Sequence, residues 1–582
     1  MNSRCDIYVA DFETTTDAAA CFVWACGIQN INTLEFYCDN NIEFFFDFFK
    51  NKKATVYFHN AKFDCEFIFF YLYNHNFKYV KSRKDLETNT FTTLISDKGV
   101  FYSCEICFRK NSKVKNILTI YDSLKLLPMS VDKIAQTFKL PITKLDLNYT
   151  LTRDKNHVLT EHEKEYLKHD TEIVCLALQE LFKQQLTHMT TASNALNSYK
   201  ELLGLDKYKK YFPEIPYEVD KDMRRAYKGG FTYLNPLYKN KIVNGGIILD
   251  VNSLYPSVMY ECKLPYGEYI FYEGEYKYDR IYNLYIQHLA CEFELKESGI
   301  PTIQIKNNIG FIPTEYLTDS HGEIINLYLT NIDLKLFFDN YNVKNLVYIN
   351  GYKFKSSNKL FKNYIDYWIG IKNQATIDKN HGLRTIAKLM LNSLYGKFAL
   401  NPNVQGKYPV LDNGIIKYEL GEKEIRKANY LPIGIFVTSY ARYKTITNAK
   451  KLGDNFIYAD TDSLHIKGYN IPDTIEVDPV KLGAWKKEGE FSEGKYIRAK
   501  TYVEKIKMDR DEINKFIIAN SNLKNLDYGD SLLNITCAGL PDKCYSQVTF
   551  ENFKEGAVYS GKLVPLHVNG GVVLHELDFT IK

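Results

Sequence analysis

The chain has 582 residues, of which 45% are hydrophobic and 25% charged, and its formal net charge is +4. This length exceeds what one hydrophobic core supports, and the composition excludes a disordered or fibrous chain, so we expect several globular domains. No signal peptide is recognisable and the apolar stretches are too short to cross a bilayer, which predicts a soluble cytoplasmic protein without membrane contact.

Residues 1–190 alternate strand-like and helical patterns, which predicts an α/β domain with acids at the ends of its elements. Asp11 and Glu13 fall on one face of a strand, ~7 Å apart along it, where they repel each other unless they share a cation. Asp64 follows the end of another strand, and Asp170 lies on a predicted helix. Four acids so placed can hold two Mg²⁺ ions ~3.5–4 Å apart, the arrangement that hydrolyses phosphodiesters.

Tyr166 lies four residues before Asp170, on the same face of that helix. In this order the three acidic segments resemble the motifs of DEDD exonucleases, in the subtype that has a tyrosine at this position. The resemblance implies that the four acids bind metal, that Tyr166 orients the attacking water and that Lys144 contacts the scissile phosphate. It also implies that several side chains hold a single-stranded 3′ end, namely Thr14, Asn60, Phe63 and Ser123. For His59, a substrate contact and a packed histidine at a strand end both remain open.

A second set of acids lies further along the chain. Asp250 ends an apolar strand pattern, and Asp460 and Asp462 flank a turn between two predicted strands. Asp250 and Asp462 on adjacent strands, with a backbone carbonyl that we assign to Val251, form a second two-metal site. Such a site would activate a primer 3′-hydroxyl and neutralise a triphosphate, so the expected reaction is nucleotidyl transfer.

A basic helical segment separates these acids. Residues 351–400 hold nine Lys or Arg against two Asp, a concentration of charge that favours phosphate binding. The spacing puts four side chains on one helical face, namely Arg384, Lys388, Asn392 and Tyr395. The two cations suit a triphosphate, to which we add Lys372, and the other two side chains suit the sugar and base. An amphipathic surface helix is the alternative, which is disfavoured because Asn392 and Tyr395 interrupt an otherwise apolar run.

These segments closely resemble motifs A, B and C of the family B DNA polymerases. Three further blocks match that family and imply DNA contacts. Lys500 and Tyr502 would lie near the primer end, and Thr438 and Arg442 would contact the template. The third block links exonuclease and polymerase and contains Tyr227, Gly229 and Gly230. The order of the motifs and the short length resemble, over essentially the whole chain, the protein-primed polymerases of small linear-genome podoviruses (Picovirinae).

The resemblance implies a multidomain α/β and α+β fold, with a ribonuclease H-like exonuclease domain and a right-hand polymerase of palm, fingers and thumb. It assigns the exonuclease to 1–190, the palm to 191–261 and 428–534, the fingers to 361–400, and the thumb to 535–582. An insertion at 262–360 docks the priming protein in that family. The Asn- and Asp-rich stretch 509–530 is interpreted as a variable palm loop without chemistry.

A second insertion, at 401–427, is expected to be a β-hairpin because Asp412-Asn413-Gly414 suits a tight turn. In the family such a hairpin encircles DNA for processivity and strand displacement. Lys407, Tyr408 and Lys417 are expected to supply its phosphate and stacking contacts.

The implied partners are primer-template DNA, single-stranded DNA, dNTPs and a terminal protein that provides the primer. The implied cofactor is Mg²⁺, two ions per active site, with Mn²⁺ as a usable substitute. The expected state is a monomer in the cytoplasm of an infected bacterial host.

Three other functions compete with this one. A reverse transcriptase or an RNA polymerase also carries paired aspartates, but Tyr255, five residues after Asp250, can lie under the deoxyribose and block a 2′-hydroxyl. A nuclease whose carboxy-terminal part only binds DNA would not need Asp250, Asp462 and Lys388 together. A non-catalytic replication scaffold would need none of these acids.

Overall fold

The computed structural model describes residues 6–149, 151–304, 315–509, 511–513, 525–527 and 531–582. Two large sheets organise these residues, one of ten strands and one of eight, and each carries one of the two sets of acids. Smaller sheets of four and two strands are attached to them. Among the helices that the structure describes, none combines the length and apolarity needed to cross a membrane.

The amino-terminal unit, residues 6–183, is a mixed sheet packed against helices. Its strands are β1 (Asp6–Thr14), β2 (Val23–Asn30), β3 (Phe36–Asp39), β4 (Ala54–Phe58), β5 (Lys78–Tyr79), β6 (Thr90–Ser96), β7 (Phe101–Lys110) and β8 (Lys115–Asp122). Its helices are α1 (Ile42–Phe49), α2 (Ala61–Asn74), α3 (Val131–Phe138) and α4 (Glu161–Lys183). Strand β4 pairs in parallel with β1 and β8, so the carboxyl ends of these three strands meet at one edge of the sheet.

Residues 191–261 begin the central unit. They form α5 (Thr191–Leu203), α6 (Leu205–Tyr211), α7 (Tyr217–Met223), β9 (Thr232–Leu234), β10 (Ile242–Val251) and α8 (Leu254–Glu261). Strand β10 is mostly buried, and its last two residues are Asp250 and Val251, where the sequence predicted the end of an apolar strand.

A four-stranded unit follows, inside the predicted insertion 262–360. It contains β11 (Leu264–Glu273), β12 (Leu284–Leu295), β13 (Ile325–Thr330), α9 (Asn331–Asn340) and β14 (Tyr341–Ser357). The sheet order is β11-β14-β12-β13 and every pairing in it is antiparallel. Helix α9 packs against the later helix at residues 431–451, which belongs to the central unit.

The predicted basic helical segment and hairpin come next. Helices α10 (Lys362–Ile377) and α11 (His381–Phe398) are followed by strands β15 (Asn403–Asp412) and β16 (Ile415–Ile425), which we call the long hairpin. Its two-residue turn has Asn413 and Gly414 at positive φ, of 51° and 78°, as the sequence predicted. At its base β15 also pairs with β6, so the long hairpin extends the amino-terminal sheet.

The remaining residues complete the central sheet. They form α12 (Leu431–Lys451), β17 (Phe456–Asp460), β18 (Ser463–Lys467), β19 (Trp485–Arg498), β20 (Thr501–Lys507), β21 (Asn525–Asp527), β22 (Ser531–Cys537), β23 (Val558–Val568) and β24 (Gly571–Thr580). The order of the central sheet is β21-β22-β20-β19-β10-β18-β17-β9. Within the part of the chain that the structure describes, strands β23 and β24 pair only with each other, and they form the carboxy-terminal hairpin.

One predicted boundary falls within a strand. The palm was expected to end at 534, but β22 runs to Cys537 and pairs along its whole length with β20 of the central sheet. The carboxy-terminal segment therefore begins after residue 537. The predicted loop 509–530 lies outside the described residues, apart from 509, 511–513 and 525–527.

Two candidate active sites

Three predicted metal ligands form a tight cluster in the amino-terminal unit. Strand β1 supplies Asp11 and Glu13, α4 supplies Asp170, and their carboxylate oxygens lie within 4.8 Å of one another. Burial, followed by the charge of the neighbouring acids, raises the pKa of Asp11 to about 7 and holds that of Glu13 well above its usual range. Among the described residues, the buried Oδ1 of Asp170 has no hydrogen-bond partner. Crowded carboxylates with an unused acceptor fit a hard divalent cation.

Asp64 belongs to the same region, although it lies outside the tightest group. It is in the first turn of α2 and only 4% exposed, and its pKa is raised by burial and by Asp11. Asn60 precedes that helix with a left-handed backbone, φ 71°, and its N–H donates to Asp122. The end of β4 and the start of α2 therefore bring the fourth acid to the cluster.

Lys144 and Tyr166 stand beside these acids, as predicted from the sequence. The Lys144 ammonium donates to the Tyr166 hydroxyl at 2.8 Å and forms an ion pair with Asp170. The hydroxyl of Tyr149 lies 3.1 Å from that of Tyr166. Sequence reasoning missed Tyr149, because a lone tyrosine in an irregular segment carries no spacing signal.

A cavity of about 690 Å³ opens over the cluster. Four of the predicted DNA contacts line it, namely Thr14, His59, Asn60 and Phe63. The carboxy-terminal segment contributes part of the wall through Lys543, Leu563, Val572, Val573 and Leu574. The cavity is thus open to an extended ligand and is bounded by two distant parts of the chain.

Ser123, which the resemblance places among the residues that hold the single-stranded 3′ end, has a fully buried side chain. The Ser123 hydroxyl donates to the Phe58 carbonyl at 3.0 Å and lies 2.9 Å from Nδ1 of His59. The other ring nitrogen of His59 lies 2.7 Å from the Met129 carbonyl, and burial lowers the pKa of the ring. His59 is therefore held by internal hydrogen bonds at the strand end while it lines the cavity.

The second set of acids meets at the edge of the central sheet. Strand β10 lies beside β18 with Asp250 opposite Ser463, and the Val251 N–H donates to the Asp462 carbonyl at 2.8 Å. Burial, then Asp462 and Glu488, raises the pKa of Asp250 to about 7. Sequence reasoning missed Glu488, because Lys486-Lys487-Glu488 resembles an ordinary charged edge of a strand.

The turn between Asp460 and Asp462 is held from several sides. Its central residue, Thr461, has φ 59°, and its N–H donates to the Phe231 carbonyl at 2.7 Å. A Cβ on Gly230 would lie 2.5 Å from Thr461 Oγ1, so only glycine fits there. Asp460 itself accepts from Lys500 Nζ at 2.8 and 2.9 Å.

The predicted nucleotide-binding side chains converge on these acids. Arg384, Lys388 and Asn392 are exposed on α11, and Lys388 is close enough to lower the pKa of Asp250 and Asp462. The pKa of Lys372 on α10 is lowered by burial and then by Arg384 and Lys388, which puts the three cations together. The rings of Tyr255 and Tyr395 stack with centroids 4.1 Å apart.

Two predicted template contacts are buried instead. Arg442, 4% exposed, forms an ion pair with Asp333 of α9 at 2.6 Å and donates to the carbonyls of Lys228 and Gly229, both at 2.8 Å. Thr438, 1% exposed, donates to carbonyls of its own helix. Arg442 thus holds the segment that contains Tyr227 and Gly229. The template contacts of Thr438 and Arg442 stay predictions.

Tyr502, predicted at the primer end, is also largely buried. Its ring is 9% exposed and stacks on Tyr496, 5.5 Å between centroids, with an edge contact to His465. Lys500 lies at the end of this aromatic cluster, because its N–H donates to the Tyr458 hydroxyl at 2.9 Å. Tyr502 thus supports Lys500 from the interior.

Comparison with known proteins agrees with this geometry. The family described as DNA polymerase type B, organellar and viral, matches residues 46–163 and 146–479. The DNA polymerase of Bacillus phage phi29 is 45% identical over 580 residues, 99% of each chain. The solved complex of phi29 DNA polymerase with primer-template DNA and incoming nucleotide covers 99% of this chain and 100% of that one, with a TM-score of 0.92 and 44% identity. The solved structure of the phi29 enzyme with single-stranded DNA has a TM-score of 0.91 and 43% identity, and it also covers 99% of this chain and 100% of that one.

Proposed function

The chain belongs to the type B DNA polymerases of organelles and viruses, and on that premise we propose that this phage DNA polymerase is protein-primed, processive, strand-displacing and self-proofreading. The observation that carries the proposal is the presence of two separate acid clusters, one on β1 and α4 and one on β10 and the β17–β18 turn. Two clusters on two sheets support two metal-dependent reactions in one chain.

Synthesis is assigned to the central sheet. Asp250 and Asp462, with the Val251 carbonyl, would hold two Mg²⁺ ions, and Mn²⁺ would serve in their place. The ions, when bound, would favour deprotonation of a primer 3′-hydroxyl and neutralise the triphosphate. The chain's own cations hold the phosphates, namely Lys372, Arg384 and Lys388. Tyr255, stacked on Tyr395, forms the floor under the sugar and excludes a 2′-hydroxyl.

Removal of a 3′ nucleotide is assigned to the amino-terminal unit. Asp11, Glu13, Asp64 and Asp170 would hold two metal ions, whose chemistry is activation of water and stabilisation of the leaving 3′-oxygen. Tyr166 orients the water and Lys144 binds the phosphate. The cavity wall formed by Thr14, Asn60 and Phe63 holds the single strand.

The units described above support the division into exonuclease, palm, fingers and thumb. We assign the four-stranded unit to docking of a terminal protein that provides the primer, and the long hairpin to encircling DNA. The phi29 enzyme has been solved with primer-template DNA, an incoming nucleotide and single-stranded DNA, and we extend these ligands to this chain. It would act as a monomer in the cytoplasm of an infected bacterial host.

One assay tests the proposal. Given a singly primed circular single strand, dNTPs, Mg²⁺ and no accessory protein, the polymerase should make products longer than one circle, because it displaces the strand that it meets. rNTPs should give no such product. Synthesis that stops after one circuit, at the 5′ end of the primer, would contradict strand displacement while leaving the polymerase assignment intact.

A further inference from the structure

Three separate parts of the chain meet at one buried carboxylate, that of Glu66 on α2, which is 2% exposed. From the long hairpin, the Tyr418 hydroxyl donates to Glu66 Oε1 at 2.6 Å. From the carboxy-terminal hairpin, Nδ1 of His567 lies 3.3 Å from Glu66 Oε2. The rings of Tyr418 and His567 also lie near each other, 6.1 Å between centroids. We call these three residues the Glu66 clasp.

Apolar contacts surround the clasp and join the same three parts. Ile416 of the long hairpin and Val572 and Val573 of the carboxy-terminal hairpin are buried in one core with Phe67 of α2. The Tyr73 hydroxyl donates to the Pro409 carbonyl at 2.6 Å. Both hairpins are therefore packed on the amino-terminal unit, not suspended in solvent.

The turns of the two hairpins touch each other. A Cβ on Gly414, in the turn of the long hairpin, would lie 2.9 Å from Nδ2 of Asn569, in the turn of the carboxy-terminal hairpin. In the same turn a Cβ on Gly571 would lie 2.4 Å from Phe67, so the backbone there lies directly against α2. The contact between the two turns is thus tight and fixed in position by α2.

This contact closes a loop of protein. The long hairpin connects α11 to α12, and the carboxy-terminal hairpin follows β22, which belongs to the central sheet. With their turns in contact, the two hairpins and the central sheet that carries Asp250 and Asp462 form a closed path of chain connections and contacts, which we call the ring. We propose that the Glu66 clasp is the fastening of this ring and determines how rarely it opens to release DNA, which rests on the proposed function of the long hairpin in encircling DNA.

The chemistry of the clasp makes closure cooperative. Burying a carboxylate costs free energy, and its polar partners offset that cost. If a partner is removed, the cost remains, so each partner stabilises the closed arrangement more than an exposed polar contact would. Tyr418 hydrogen-bonds one oxygen of Glu66, and the His567 ring lies 3.3 Å from the other oxygen without hydrogen-bond geometry. The clasp is therefore complete only when both hairpins are seated. Lys81 of the amino-terminal unit and Glu422 of the long hairpin also form an ion pair, but both side chains are exposed.

The test compares release from two DNAs. The full-length enzyme is bound to a primed closed circle or to a short linear primer-template, and its dissociation is followed after addition of excess competitor DNA. Tyr418→Phe should speed release from the circle by about tenfold, the factor expected for one hydrogen bond to a charged group. His567→Leu removes the partner at the other oxygen of Glu66 and should also speed release from the circle. Release from the linear DNA should stay within about twofold, because an unopened ring can slide off an end. Lys81→Ala is the matched control and should change neither rate.

Two results would overturn the clasp, and a third separates it from the proposed function. Equal acceleration on both DNAs would mean that the substitutions weaken DNA binding generally. Unchanged release from the circle in both variants would mean that the clasp does not fasten the ring. An enzyme that lacks residues 403–428 is measured in parallel, because unchanged release from the circle after that deletion would instead refute the encircling role of the long hairpin.

Discussion

At the scale of single residues, the two acid sets should be separable by mutation because they lie on different sheets. Replacing Asp11 and Glu13 by Ala should slow degradation of a 3′ single strand by more than ~100-fold, or about 2.7 kcal/mol of barrier, since metal binding is lost. Extension of a matched primer should stay near normal. Both rates are measured on the same DNA by gel electrophoresis.

Asp250→Ala is the reciprocal control for that pair. It should abolish extension and leave 3′ degradation intact. If either change removed both activities together, the acids concerned would be structural and their assignment to separate sites would be wrong.

Tyr255 should exclude ribonucleotides. Its ring stacks on Tyr395, and Lys388 lies close enough to Asp250 to lower the pKa of that acid. Under the proposed function, Tyr255 would face the sugar of a nucleotide whose phosphates bind Lys388. Tyr255→Val should admit rNTPs, because the steric block is removed while the phosphate contacts remain. The ratio of kcat/KM for dNTP and rNTP measures this, and a ratio unchanged from the parent enzyme would remove Tyr255 from that role.

Arg442 should act on stability and not on template affinity. Arg442→Ala leaves Asp333 buried without its cation, which costs about 3–5 kcal/mol and lowers the Tm. Arg384→Ala, at an exposed cation, is the control and should leave the Tm unchanged. A variant at Arg442 with a normal Tm and weaker template binding would instead restore the template contact that the sequence predicted.

The residue scale also shows what sequence could predict. Asp11, Glu13 and Asp170 could be predicted for two reasons. A metal site requires carboxylates, and the periodicity of strands and helices determines the spacing at which they share a face. Ser123 and Arg442 matched the family's motifs, but their burial depends on neighbours distant in sequence, such as Asp333. Motif positions therefore identified the right segments and not always the contact that each side chain makes.

At the scale of elements, the long hairpin was predictable and its docking was not. Asn413-Gly414 determines the turn, whereas the pairing of β15 with β6 depends on an edge strand more than three hundred residues earlier. Two of the residues that were expected to contact DNA also make contacts within the protein. Tyr408 stacks on Tyr79 and bonds Glu419, and Lys417 pairs with Asp412. Under the proposed function, the hairpin would therefore confine DNA by its position more than by those side chains.

Deleting residues 403–428 should leave a polymerase that cannot displace a strand. The acids and cations of the central site lie outside this segment, so filling a gap of a few nucleotides should remain normal. Products on a long template should become short and stop at a downstream blocking strand. The reason is that the variant holds DNA only by phosphate contacts, which salt weakens, and has lost the hairpin that encircles the DNA. Product lengths in one binding event, at low and high salt, measure the effect. Long products through duplex DNA in one binding event would assign processivity to the carboxy-terminal hairpin instead.

At the scale of the whole molecule, the sequence predicted separate units and their order, but not how closely they pack. The core around α2 includes residues of both hairpins, and the wall of the first cavity includes Val572 and Leu574. Such contacts join residues that are more than three hundred positions apart and leave no periodic signal in the sequence. The amino-terminal unit is therefore part of the frame that positions the hairpins.

Because the acid clusters are buried within this frame, divalent metal should stabilise the entire fold. Without metal, Asp11, Glu13 and Asp170 repel one another in a site that burial makes unfavourable for charge. Mg²⁺ at a hundredfold excess over its Kd should add about 2.7 kcal/mol per site to the free energy of unfolding and raise the Tm, since the unfolded chain lacks the site. EDTA should remove this increment together with both activities.

In the enzyme with Asp11→Ala and Glu13→Ala, the rise in Tm on adding Mg²⁺ should be smaller, and the Tm in EDTA should not fall below that of the parent. Calorimetry of both enzymes checks this, and an equal Mg²⁺ effect in the two would show that the metal binds elsewhere.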